Sequence, residues 1–545
     1  MAAAACSSGD DSAGGTGDAA ATSGDETPIS RACDQGAAQD RVEAAPVAGT
    51  PRDRTITSFD GTRIRAHWFP APAASTGDPA PTVLMGPGWS LPGATLATDA
   101  GDGGTNPVSS GALGIATLND AGYNVLTWDP RGFGASTGTV TVNDPDYEGH
   151  DVQVLLDWVA TQPGVRLDTE GDPRAGMVGA SYGGGIQLIV AGIDCRVDAL
   201  VPNVAWHSLE TSLFRNETVK AGWAGLLNTA ASGAARDPHL VEAADTGLTT
   251  GVLDDETIEW FRDRGPGDLV DQVTAPTLLV HGTVDTLFTP GEAVTNFTAL
   301  RSAGTPVAML WYCGGHGACL TDPGDPALVT ERTLAWLDHY LGGDAEADTG
   351  PVVDIVDQDG RRWVGDDFPD GADDPLTAEG DGETLALTAE SVAGPITPAG
   401  SDDMLAGLVA GFTPGRADRA VELTLEADHD ALVLGAPRVT LTYRGTTPDG
   451  PEPTRAFAQI VDDESGHVLG NQITPVPITL DGDEHTTQVD LEVVAHHVVE
   501  GARVTLQLVA TTPAYATPRL GGKLTVTDVA LELPTTDDLS PPSND

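Results

Sequence analysis

Apolar positions along this chain recur with two periods, and the boundary between them divides it in two. Residues 55–59 and 63–69 are rich in strand-forming side chains and meet at Asp60-Gly61, which predicts a hairpin. Short apolar runs follow at 82–85, 123–128, 176–180, 200–204, 276–281 and 307–311. Each is short enough to be a buried strand. Helical spacing fills the gaps, as in Val152, Leu155, Leu156 and Val159. Strands alternating with helices predict a mostly parallel, doubly wound α/β sheet. A longer insertion, 206–268, has helical spacing and four aromatics, Phe214, Trp223, Trp260 and Phe261, and predicts a small helical cap. A helix over 328–341 ends at Gly342-Gly343, and the pattern then changes. Short alternating runs at 421–425, 438–443, 456–461, 488–493, 504–509 and 524–531 predict a β-sandwich or jelly roll. The expected organisation is a polar tail and linker over 1–50, an α/β domain over 51–345 with its cap, a jelly-roll-like all-β domain over 346–535, and a disordered tail over 536–545.

One segment adds chemistry to this pattern. Gly179-Ala180-Ser181-Tyr182-Gly183 is a G-x-S-x-G sequence set between a predicted strand and a predicted helix. Strand, sharp turn and helix together make a nucleophile elbow, which holds a serine hydroxyl exposed. Such a serine needs a histidine base and a carboxylate to orient it. In an α/β-hydrolase these follow in the order Ser, Asp or Glu, His, on loops after strands. Asp285 follows the run 277–282, and His316 follows 307–312 on a loop flanked by Gly315 and Gly317. His281 precedes the acid and reads as structural; Asp322 follows the base, in the wrong order. Ser181, Asp285 and His316 are therefore the expected triad.

Ser181-Tyr182-x-Gly184-x-x-Gln187 resembles the nucleophile signature of the X-Pro dipeptidyl-peptidase and cocaine esterase family. Trp128-Asp129-Pro130-Arg131-Gly132-Phe133-Gly134-Ala135-Ser136 resembles that family's D-x-R-G-x-G-x-S segment, and residues 432–439 look like the opening of its C-terminal β domain. The resemblance runs in ordered pieces from about residue 54 onward. It implies an α/β-hydrolase joined to a jelly-roll-like domain, cleaving an ester or amide through an acyl-enzyme. The family often supplies an oxyanion-hole tyrosine from the loop after an early strand, but here that loop, Met85-Gly86-Pro87-Gly88-Trp89-Ser90, has none. The hole then falls to the backbone N–H groups of Trp89 and Tyr182, with the Trp89 indole as a further candidate donor. Asp129 and Arg131 are expected to brace loops beneath the site. The family's peptidases tend to anchor a substrate amine on acids in the cap; Glu217 and Glu242 are the candidates here. Three functions stay open: an exported serine esterase or amidase, an X-Pro dipeptidyl peptidase, and a surface-binding lipoprotein with a vestigial hydrolase.

Composition narrows the partners. The 81 acidic residues against 27 basic give a formal net charge of −54. Nucleic acid is excluded as a partner, because phosphate contacts need clustered Lys and Arg. The expected partner is a small-molecule or peptide substrate. No C-x-x-C or H-E-x-x-H sequence occurs, so neither metal nor cofactor is expected. No apolar run approaches the ~18 residues of a spanning helix. Ala3-Ala4-Ala5-Cys6-Ser7 resembles a bacterial lipobox, which makes Cys6 a lipidation candidate, although no charged and apolar leader precedes it. A cell-surface or secreted location would also suit the other four cysteines as two disulfides, Cys313 with Cys319 around His316, and Cys33 with Cys195.

Overall fold

The computed structural model describes residues 53–543 apart from 73, 75–77, 96–112, 370, 372–373, 397–403, 449–452 and 519. Cys6 and Cys33 lie outside the described residues. The first domain is built on one sheet of ten strands. They are β1 (Asp53–Thr57), β2 (Arg63–Phe69), β3 (Thr82–Gly86), β4 (Asn124–Asp129), β5 (Ala175–Ala180), β6 (Val197–Asn203), β7 (Thr277–Gly282), β8 (Val307–Tyr312), β9 (Val353–Val356) and β10 (Arg362–Gly365). Their order across the sheet is β1-β2-β4-β3-β5-β6-β7-β8-β9-β10. The hairpin pairs antiparallel, β3 through β9 pair parallel, and β10 returns antiparallel. The central strands read as unbroken apolar runs because helices cover both faces; every residue of β7 and β8 is buried.

Helices α1 (Ile115–Asp120), α2 (His150–Ala160), α3 (Tyr182–Ile193), α8 (Pro290–Ala303) and α9 (Leu328–Leu337) flank the sheet. The apolar faces of α2, α3 and α8 share one core and that of α9 another. Between β6 and β7 stands the cap, made of α4 (Leu209–Leu213), α5 (Ala221–Ala230), α6 (Pro238–Thr250) and α7 (Asp255–Arg262). Asp237 and Asp254 accept backbone N–H groups at the starts of α6 and α7, and left-handed Gly251 ends α6.

The domain boundary expected at 345 needs correction. The chain re-enters the hydrolase sheet as β9 and β10, and only then builds the second domain. That domain packs sheets of five, four and three strands around a core of alternating inward side chains. The strand Lys523–Leu533 buries Leu524 and Val526, then shifts phase to Val529, Leu531 and Leu533. A register shift opposite Thr442 and Tyr443 accounts for that slip. The tail expected to be disordered from 536 is also corrected. Thr535–Thr536 pair with the strand Ala431–Gly435, Leu539 is buried, and Ser540 pairs with Val364 of β10. Its Pro and Ser content misled because edge pairing needs only backbone groups. No described helix is long and apolar enough to cross a membrane.

Candidate active site

β5 delivers its chain straight into a turn that only small residues permit. Ser181 sits at φ 58°, ψ −117°, an unfavourable conformation for a residue with a Cβ. Its own N–H donates to the Asn203 carbonyl and fixes the turn to β6. A Cβ on Gly183 would stand 2.2 Å from the Gly86 carbonyl oxygen, and one on Gly184 would stand 2.5 Å from that of Asn203. The glycines thus let the elbow nest between the ends of β3 and β6. Strain of this kind costs about 1–3 kcal/mol and persists only where packing enforces it.

The two partners arrive from the ends of β7 and β8. His316 Nε2 lies 2.9 Å from Ser181 Oγ, and His316 Nδ1 lies 2.7 Å from Asp285 Oδ2. Asp285 is fully buried. Its Oδ1 accepts the N–H groups of Leu287 and Phe288, each at 2.9 Å, and its Oδ2 also accepts the N–H of His316 at 2.9 Å. Burial pushes the Asp285 carboxyl up, but the attraction and hydrogen bonds of His316, with the attraction of His281, outweigh it and hold it below the usual carboxylate range. Rings of Trp223 and Phe288 meet the imidazole edge-on, at 5.6 and 5.1 Å between centroids. His281 is buried, with Nε2 against the Phe288 carbonyl oxygen at 2.8 Å, and burial lowers its pKa. It supports the loop beside Asp285.

Cys313 and Cys319 are bridged across the base, with Cα atoms 5.4 Å apart. Cys195 is also disulfide-bonded. The glycines of the His316 loop allow close contact with the loop that carries the acid. A Cβ on Gly315 would stand 2.6 Å from Asp285 Oδ2, and one on Gly317 would stand 1.7 Å from the Val284 carbonyl oxygen.

The Trp89 indole is not a free donor, which corrects that expectation. Its single N–H donates to the Leu227 carbonyl of α5 at 3.0 Å, tying the loop after β3 to the cap. The Trp89 and Tyr182 rings touch edge-on at 5.2 Å, and the backbones beside them also meet, since a Cβ on Gly183 would stand 2.9 Å from the Pro87 carbonyl oxygen. Beneath them, Asp129 accepts the N–H groups of Gly93 and Ala135, and Arg131 forms a two-pronged ion pair with buried Asp151 at 2.7 Å. Both residues brace loops. Glu148 went unnoticed in the sequence. It is buried, takes the Tyr182 hydroxyl at 3.2 Å and the Thr141 N–H at 2.8 Å, and burial pushes its carboxyl up to about 7.

Between elbow and cap opens a cleft of about 910 Å³, its mouth included. Phe214 and Phe261 line it, whereas Trp223 backs His316, and Trp260 stacks under Arg264. No carboxylate is among the described lining residues. Glu217 and Glu242, the candidate amine anchors, are exposed and do not line it.

The second domain reaches the site, which no motif announced. Gln472 Nε2 donates to the Asp285 carbonyl at 2.6 Å, and Asn471 Nδ2 to the Ala318 carbonyl at 2.9 Å. These two side chains hold the loops of acid and base from outside the hydrolase. Lys220 of the cap, fully buried, donates to the Leu287 carbonyl at 2.9 Å.

The model of the X-Pro dipeptidyl-peptidase (S15) family matches residues 60–318. A CocE/NonD family hydrolase from Staphylococcus aureus superposes with a TM-score of 0.60 at 14% identity, covering 89% of this chain and 93% of that one. An α-amino acid ester hydrolase gives 0.66 at 14%, covering 92% and 99%. An aminopeptidase from a marine sediment Thaumarchaeota archaeon gives 0.62 at 14%, covering 92% and 99%. These likenesses establish a shared fold, an α/β-hydrolase with a C-terminal β domain. Among curated proteins, the polyketide transferase grgF of a Penicillium species is 26% identical over 151 residues, 27% of this chain and 43% of that protein. An uncharacterized 31.7 kDa Escherichia coli protein is 27% identical over 146 residues, 26% of this chain and 48% of that protein. The chain therefore matches a little under half the length of these curated relatives.

Proposed function

We propose that this chain, whose hydrolase domain belongs to the X-Pro dipeptidyl-peptidase (S15) family of serine hydrolases, is an esterase for substrates with an apolar acyl or alcohol group. The observation that carries this reading is the apolar cleft open to Ser181, with no carboxylate among its described lining residues. A dipeptidyl peptidase would need such an acid for the substrate's free amine. In the proposed reaction, Ser181 Oγ attacks the ester carbonyl while His316 Nε2 takes its proton. The oxyanion forms against the N–H groups of Trp89 and Tyr182, at the start of α3, whose dipole favours negative charge there. His316 then returns the proton to the leaving alcohol, and an acyl-Ser181 remains. Water, activated by the same imidazole, releases the acid. Asp285 holds the ring in the productive tautomer throughout.

The same reading takes the protein to be exported, since disulfides persist in oxidising compartments and the Cys313–Cys319 bridge supports that. Lipidation of Cys6 would add membrane attachment. Intact-mass analysis of the mature protein tests it, and an unmodified Cys6 refutes the anchor. The test of the activity is one preparation assayed on p-nitrophenyl esters and an X-Pro anilide, with Ser181→Ala as control. Ester hydrolysis should dominate and vanish in the variant, along with fluorophosphonate labelling. Faster cleavage of the anilide would replace this reading with the peptidase.

A further inference from the structure

Arg236 stands out in the cleft as the one charged side chain among its described lining residues. It lies between α5 and α6, and its guanidinium hydrogen-bonds Asn228 Oδ1 of α5, another lining residue. The cap's other arginines are neutralised: Arg215 by Glu492, Arg262 by Glu210 and Arg264 by Asp144. Arg236 forms no ion pair with any described carboxylate, in a chain with three acids for every base. A guanidinium has five N–H donors in a rigid fork, and one amide oxygen leaves an edge free for a two-pronged carboxylate contact.

The surroundings give that free edge a consequence. Apolar walls lower the local dielectric, so a charge pair formed there is stronger than one in water. A net charge of −54 disfavours anionic substrates at long range, but at physiological salt that field is screened beyond about 8 Å. Inside the cleft the local cation decides.

We propose that Arg236, steadied by Asn228, is an anion-binding subsite of the cleft, and that the apolar group this esterase accepts ends in a carboxylate. The inference rests on the esterase reading and adds the substrate class to it. Without Arg236, the same carboxylate would be buried against apolar side chains with no partner, which is costly.

The experiment compares kcat/KM for mono-p-nitrophenyl esters of dicarboxylic acids with neutral p-nitrophenyl alkanoates of equal length, over a range of chain lengths. A second pair of series places the carboxylate on the alcohol side, using butyrate esters of ω-hydroxy acids against those of plain alcohols. At the best length, in one series, the parent enzyme should prefer the anionic ester. Arg236→Gln should lower the anionic-to-neutral ratio by about 10- to 100-fold, the range of a charge-assisted hydrogen bond, and Arg236→Lys should lower it less. The parent's preference is measured without any variant, so a misfolded Arg236→Gln leaves the inference exposed to test. A parent enzyme that hydrolyses neutral esters equally well or better at every length overturns the subsite and leaves the esterase standing. So does a ratio that Arg236→Gln does not move. Failure to hydrolyse either kind of ester overturns the esterase reading and this inference together.

Discussion

Asp285→Asn separates the orientation of the base from the shape of the site. The carboxylate receives four N–H groups, two on each oxygen: Leu287 and Phe288 on Oδ1, the backbone and Nδ1 of His316 on Oδ2. An amide has one oxygen and one NH2, so it must choose. With oxygen toward Leu287 and Phe288, its NH2 faces His316, and only the His316 backbone N–H loses an acceptor. With the amide flipped, two buried N–H groups are stranded at about 1–3 kcal/mol each. The first orientation is therefore favoured by on the order of 1 kcal/mol or more. It presents a donor to Nδ1, which then carries a lone pair, and the ring proton moves to Nε2. That nitrogen can no longer accept from Ser181. Turnover should fall on the order of ten-thousandfold, about 5 kcal/mol of barrier, with KM little changed because Asp285 does not line the cleft. The assay is kcat and KM on p-nitrophenyl butyrate, with circular-dichroism melting to confirm folding. A folded variant within tenfold of the parent kcat would refute the assignment of Asp285.

Replacing both Cys313 and Cys319 by serine should lower kcat several-fold while moving Tm by only a few degrees, since closing so short a loop is worth about 2 kcal/mol; an unchanged kcat would leave the bridge no part in holding His316. Gln472→Met removes the hydrogen bond to the Asp285 carbonyl with little change of volume, and should reduce kcat about tenfold with KM within twofold. A lower Tm with unchanged kcat would make Gln472 a packing residue only. The Glu148 carboxyl, at an ordinary 4.5 when unfolded and about 7 when folded, binds more protons in the native state between those values. Its contribution to stability is thus fully present below pH 4.5 and lost as pH rises through 7, an upper bound of about 3 kcal/mol. Glu148→Gln should flatten the fall in Tm between pH 5 and 8, and parallel curves for the two proteins would show that Glu148 is not the group responsible.

The parts of the site legible in the sequence are those built locally. A serine between small residues, after an apolar run and before a helical one, can adopt little but an elbow, because Gly183 and Gly184 leave the adjoining carbonyls room to approach. Asp285 and His316 were legible by order, since in a parallel sheet loops at the same end of successive strands converge. Periodicity could not show where a side chain's hydrogen bond goes. The Trp89 indole could serve an oxyanion or the Leu227 carbonyl, and only the cap's position decides for the latter. The boundary at 345 failed for a related reason: β9 and β10 are short strands whose alternation looks the same at the edge of one domain as inside the next.

Gln472 is the harder case, and it shows what kind of information was missing. It lies 187 residues from Asp285, in a turn where Gly470 and Asn471 both have positive φ. Those residues predict a turn but not what the turn touches. Its partner is a backbone carbonyl, which every residue has, so neither sequence carries a complementary mark. Yet the contact falls on the loop where the tolerance is smallest: a shift of the Asp285 backbone moves all four of the carboxylate's bonds at once, and with them the ring that must stay 2.9 Å from Ser181. The β domain therefore acts on the chemistry by holding a loop in place. A chain cut after β10 would keep the hydrolase sheet and the triad yet lose Gln472 and Asn471, and with them the outer support of both acid and base.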